Sequence, residues 1–351
     1  MPTLTRLFQS VSFISLTSVL ILSGCNGEAD IVVTSDVVSA EKIAQIRANI
    51  QTLHPDADSE LQAKVLDTAV RAVEDMVFIE GGKFMMGDFG MPCDADPERP
   101  VWRETENMCN ASRWADTSPA HPVELNSYSL SKYETRVKDM DRYLLAHNEP
   151  LPKPELREVE PENFQFQSDN PASTRGWQDA KDYCTWLGQL TGYAFDLPTE
   201  AQWEFAARNR GQNIYYATDN GFLENGRNTR PYDKDSGKLG HTYPVDMLPP
   251  NPLGIYGLQN NAAEWVNDVY DPEYYSYSQI ANPKGPGDSL LLEMDGQNEQ
   301  EFHLLRGNLV GEINNNILIR RQVGNDEIRG YNTYVSSFSF RCSIQSHLKL
   351  N

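Results

Sequence analysis

The sequence predicts a mixed α/β domain, irregular and loop-rich, preceded by an N-terminal helical extension. Three observations lead there. Apolar residues recur at helical spacing between Ala40 and Asp75. A strand–turn–strand pattern follows from Met76 in "MVFIEGGKFMMGD". Beyond Asn209 the chain is dominated by Gly, Asn, Asp, Tyr and Pro with little periodicity, which reads as loops threaded with short strands. No internal repeat is present.

The first residues set an expectation of compartment. "MPTLTRLFQSVSFISLTSVLILSGC" carries Arg6 and then an apolar run from Val11 to Leu22. That run is shorter than the roughly 20 residues a membrane span needs and suits a secretory leader. Leu22-Ser23-Gly24-Cys25 resembles a bacterial lipobox. Residues 1–24 are therefore expected to be a lipoprotein signal peptide. Cys25 becomes the lipidated first residue of the mature chain, and residues 25–39 a tether. Asn26, rather than Asp, follows Cys25. The expected location is the outer membrane facing the periplasm, with the lipid on Cys25 as the membrane contact.

A formal net charge of −20 argues against a nucleic-acid partner, because phosphate recognition needs an excess of Lys and Arg. Of five cysteines, lipidation of Cys25 leaves four, and an oxidising compartment makes two disulfides the default. Cys93 and Cys109 bracket much of the Asp-, Glu- and Pro-rich stretch from Met91 to Ser118. A local disulfide there would stabilise by ~3 kcal/mol in the chain-entropy account.

Within residues 40–75, "AEKIAQIRANIQTL" puts Ile43, Ile46 and Ile50 on one helical face. "SELQAKVLDTAVRAVEDM" does the same with Leu61, Val65, Leu66, Val70 and Val73, with Asp58 or Ser59 as its cap. The pair reads as a helical hairpin: a spacer, a partner-docking element, or a lid packed on the body. Further helices are expected at Val137 to His147, at "GWQDAKDYCTWLGQLTG" with Gly192 as its stop, and at "LPTEAQWEFAARN" with Thr199 as cap and Trp203 and Phe205 inward.

The blocks "GGKFMMG", "HPVELNSYSLSKYETR", "NPASTRGWQDAKDYCTWLG", "PTEAQWEFAAR", "GIYGLQNNAAEW" and "FRC" occur in this order. Together they resemble the formylglycine-generating enzyme family, the sulfatase-modifying-factor domain. The resemblance implies one irregular domain over residues 76–346, poor in regular secondary structure and distantly similar to C-type lectins. It also implies a Cys184–Cys342 disulfide, which leaves Cys93 with Cys109. Two structural calcium ions are implied as well, and calcium takes six to eight oxygens. One site would use Glu264 with carbonyls of Gln259, Asn260 and Ala262; here Asn260 stands where the family usually has Gly. The other would use Asn228 and Thr229 with Asp233 or Asp235. No histidine spacing suggests a transition-metal site.

Enzymes of this family oxidise a substrate cysteine with O₂ at a copper ion held by two cysteinates that follow an "RGGS" element. Here "RGNL", Arg306 to Leu309, occupies that element, and Glu312 and Ile317 fall on the two cysteine positions. No cysteine lies between Cys184 and Cys342. Cu(I) selects thiolates, so no copper is expected. Iron-dependent sulfoxide synthases add a His-rich helical bundle, but the N-terminal helices here carry only His54. The expected function is a non-catalytic binding or scaffold lipoprotein of an envelope machine, of secretion or motility type, with a protein or glycan partner. The alternative is an enzyme of altered oxidative chemistry, with Glu312 near Arg320 or Arg321 forming a polar pocket.

Overall fold

The computed structural model describes residues 32–96, 99–229, 241–259, 261–287, 291–292, 300–307, 318–319, 321–325 and 338–349. Cys25, Asp233, Asp235, Asn260, Glu312, Ile317 and Arg320 lie outside them.

The hairpin forms as its periodicity demands. Helix α1 (Ala40–Leu53) is capped by the Ser39 side chain, and α2 (Ser59–Glu74) by Asp58, which accepts from Leu61 N. Ile43, Ile46, Ile50, Val65, Leu66, Val70 and Val73 are all buried. They share one core with Met140, Leu144, Trp186, Leu190, Trp265 and Phe340. Of the three roles left open, the structure selects packing on the body. Each such side chain is worth roughly 1.5–3 kcal/mol of burial.

Next come β1 (Met76–Ile79), β2 (Gly82–Met86), β3 (Met91–Pro92), β4 (Met108–Cys109), β5 (His121–Leu125) and β6 (Tyr128–Ser131). The helices α3 (Val137–Ala146), α4 (Pro154–Val159) and α5 (Trp177–Thr191) follow. Gly192 ends α5 in the left-handed conformation, φ 72°. Beyond β7 (Phe195–Asp196), α6 (Glu200–Ala207) opens with a reciprocal capping box between Thr199 and Gln202. The short α4 was not legible, since its six residues bury none of their side chains fully.

The second half holds β8 (Ala263–Val269), β9 (Leu291–Leu292), β10 (Gln300–Arg306), β11 (Gln322–Asn325), β12 (Phe338–Phe340) and β13 (Ser343–Ile344), short strands among loops. One sheet has the order β1-β6-β13-β7 and another β11-β10-β8-β12, with β9 on β10; β2–β5 and β3–β4 are separate pairs. β8 is central: it runs antiparallel to β10 and parallel to β12, with Glu264 opposite both Arg306 and Ser339. Gly324 on β11 lets the chain pass the Trp265 indole, since a Cβ there would lie 1.9 Å from the ring.

Candidate functional site

Helix α6 is buried on every side, its two glutamates included. Glu200 and Glu204 stand one turn apart and so share a face. Arg306, at the end of β10, donates to Glu200 Oε1 and Glu204 Oε2, each at 2.9 Å, and to the Leu318 carbonyl. Arg321 donates to Glu200 Oε1 at 2.9 Å and to the Asp116 and Asp271 carbonyls. Its guanidinium also lies over Tyr275 and Tyr270. Arg208 completes the set through Glu204 Oε1 at 2.9 Å and the Met85 carbonyl at 2.7 Å.

Burial pushes the Glu200 carboxyl up, but Arg321 and Arg306 together outweigh it and hold the group below its ordinary value. Asp268 forms no ion pair among the described residues, and Arg321 and Arg306 offset its burial only in part. Burial and the neighbouring Glu200 push it up to about 8, so near neutral pH it is the protonated member of the pair. This network lies at both described ends of the segment Arg306 to Arg321. It is a framework of ion pairs, and it commits Arg321 to Glu200.

The calcium candidates find other partners. Glu264 takes Arg341 in a bidentate pair, with both contacts at 2.6 Å, and also accepts from the Trp203 indole at 3.0 Å. Arg341 further donates to the carbonyls of Ser131, Lys132 and Tyr256. A calcium ion at Glu264 would compete with that guanidinium. Ala262 directs its carbonyl toward Gly307, where a Cβ would lie 3.3 Å from it. Gln259 Oε1 accepts from Ala217 N at 2.8 Å. Asn228 Oδ1 accepts from Glu224 N, and its amide donates to Asp219 Oδ1. Thr229 accepts from Gly226 N through its carbonyl. The fold does bring Asn228 and Gln259 to one polar cavity of about 10 Å³, shared with Thr218, Tyr243 and Asn261. That is room for about one water. Among the described residues, no three His, Cys, Asp or Glu are grouped to hold a metal.

Glu134 and Arg341 are what sequence reasoning missed. Both sat inside quoted blocks, in "SKYETR" and "FRC", yet nothing in the sequence pairs positions so far apart. Glu134 is buried 4.0 Å from Arg341 Nη2, against Gly257, and its oxygens meet no well-aligned donor. Burial, with the neighbouring Glu264 adding to it, pushes its carboxyl up to about 8 against the downward pull of Arg341.

The disulfides are Cys184–Cys342, which is buried, and Cys93–Cys109, which closes the β3–β4 pair. Every described cysteine is thus bonded to another. A copper ion on two thiolates does not fit these residues.

Fold and site together define an irregular mixed domain, tied by a long-range disulfide and by buried Arg–carboxylate pairs around α6 and β8. Residues 62–342 match the sulfatase-modifying factor enzyme 1-like domain, and the chain belongs to that family. The match begins inside α2, so most of the second helix of the hairpin falls within it.

Among relatives, the formylglycine-generating enzyme of Bos taurus is 35% identical over 126 residues, 34% of this chain and 32% of that protein. The chain therefore matches only about a third of that enzyme's length. The enzyme of the same name from Streptomyces coelicolor is 28% identical over 247 residues, 62% of this chain and 76% of its own. The inactive C-alpha-formylglycine-generating enzyme 2 of Mus musculus is 29% identical over 227 residues, 56% and 70% of the two chains. In fold, the chain is similar to PvdO from Pseudomonas aeruginosa, with a TM-score of 0.56 at 22% identity over 77% of this chain and 94% of that one.

Proposed function

We propose that this chain is a non-catalytic member of its family: an exported lipoprotein, anchored through Cys25, that serves as a binding or scaffold component of a cell-envelope assembly with a protein or glycan partner. One observation carries the reading. The family's reaction needs two thiolates side by side, and here the four cysteines beyond Cys25 are joined in two disulfides. The murine relative whose name describes it as inactive shows that the family also includes proteins so described.

The test is direct. Purified protein is supplied with Cu(I), O₂ and a cysteine-containing peptide, and the peptide is followed by mass spectrometry. No conversion to formylglycine is expected; turnover would overturn the reading and restore the alternative of an oxidative enzyme. Labelling with a radioactive fatty acid, lost on Cys25→Ser, tests the anchor. Two calcium ions are part of this reading, one at Glu264 with the carbonyls of Gln259, Asn260 and Ala262, where Arg341 would compete for the carboxylate, and one at Asn228 and Thr229 with Asp233 or Asp235. Calcium titration with thermal unfolding checks them: a saturable rise in Tm supports calcium binding and no rise removes both sites.

A further inference from the structure

One of the side chains that fasten the hairpin to the domain outside the ion-pair network is titratable. His54 follows α1 and completes it, its backbone N–H donating to the Ile50 carbonyl at 2.8 Å. The imidazole is buried, although the turn that carries it is largely exposed. It inserts between α3 and α5, where Trp186 Nε1 donates to His54 Nε2 at 2.8 Å.

An indole N–H can only donate, so Nε2 must present its lone pair and the ring proton belongs on Nδ1. The Ala146 backbone at the end of α3 also acts on the ring, pulling its value upward. Only the neutral ring, with Nε2 unprotonated, satisfies the Trp186 bond. The next residue, His147, meets the His54 ring edge-on with centroids 4.8 Å apart, and its own Nδ1 lies 2.8 Å from the Tyr143 carbonyl.

The other groups nearby offer a His54 cation no compensation. From α2 the contact is the uncharged Gln62 amide, which donates to the His54 carbonyl at 3.3 Å. From α3, Tyr143 packs against His147 and Trp186. The carboxylates of Asp182, Glu149 and Asp179, with Arg175, act on Tyr143 rather than on His54. Other charges of the interface, Arg71, Arg136 and Arg142 with Asp67, Asp75 and Asp139, form their own cluster.

We propose that His54 is an acid-labile latch holding the α1–α2 hairpin to the domain. Its protonation sets two donors, Nε2–H and the Trp186 N–H, against each other beside His147, and so loosens the element that joins the N-terminal segment to the body. Burial, with His147 adding to it, lowers the His54 value below the ordinary 6.5, against a smaller upward pull from the Ala146 backbone. The latch's contribution is therefore present above that value and is lost as pH falls through the lower folded one. Asp67 of that cluster stays ionised across this window, since Arg71 and Arg142 hold it below its ordinary range against its burial.

Hydrogen exchange of the whole protein at about pH 7.5 and about pH 5.5, corrected for intrinsic rates, tests this. Amides of residues 40–53 are expected to lose protection by about tenfold on acidification while those of β8 keep theirs. In His54→Gln, whose amide oxygen still accepts from Trp186 but cannot titrate, the two conditions should agree. An equal acid response in that variant, or none in the wild type, overturns the proposal. If the variant fails to fold, ¹⁵N-imidazole NMR of the wild type decides: a protonated Nε2 at neutral pH, or titration at or above the ordinary value, refutes the latch.

Discussion

Replacing Arg341 by Met asks whether a guanidinium is the cation that Glu264 needs. The change removes two contacts of 2.6 Å to the Glu264 carboxylate and the donors that hold the Ser131, Lys132 and Tyr256 carbonyls. Glu264 would keep only the Trp203 indole, with the buried Glu134 carboxyl still close by. Stranding one partner of a buried pair costs about 3–5 kcal/mol. Against a typical domain stability of about 5–15 kcal/mol, that is a large fraction. Urea unfolding followed by circular dichroism measures it. The loss should shrink as pH falls, because protonation removes the stranded charge. Glu264→Gln/Arg341→Met together should cost less than Arg341→Met alone, because no charge is left uncompensated. A loss below about 1 kcal/mol for the single variant would refute the argument. So would a chelator that destabilises the wild type as much as the substitution does, since a metal would then be the counterion.

Other expectations follow from the same contacts. Glu134 and Asp268 both titrate near 8, above the ordinary carboxylate value, so the fold favours their protonated forms. Stability should therefore be fullest below about pH 4.5 for these groups and fall as pH rises through about 8, and Glu134→Gln should flatten that slope in urea titrations at several pH values. Cys184→Ser with Cys342→Ser opens a link of sequence separation 158, worth up to about 5 kcal/mol in the chain-entropy account, and calorimetry should show a matching fall in Tm. Gly324→Ala forces a methyl to within 1.9 Å of the Trp265 ring. It should cost roughly 1–3 kcal/mol in the same assay, and a neutral outcome would mean that β11 can move aside.

Much of the first half was legible because its signals are local. Helical spacing put Ile43, Ile46 and Ile50 on one face, Asp58 and Thr199 capped where their side chains could reach backbone N–H groups, and Gly192 stopped α5 where a left-handed residue was needed. The order of the blocks gave the family, and with it the Cys184–Cys342 bond. Each of these depends on residues a few positions apart or on a pattern already carried by the linear text.

The charged interior was not legible, because its partners are distant in the chain. Arg306 meets Glu200 and Glu204, and Arg341 meets Glu264, only once β10 and β12 flank β8 and α6 lies beneath them. A sequence shows that a carboxylate is present; whether a guanidinium, a proton or a metal neutralises it depends on what the fold brings within about 3 Å after water is excluded. Glu264, which the family resemblance implied as a calcium ligand, is within reach of Arg341 only in three dimensions. By the same reasoning His54, an isolated histidine in the sequence, becomes in the fold a neutral acceptor for Trp186. The linear order determined the elements and the family; the tertiary packing decided the counterion of each buried charge.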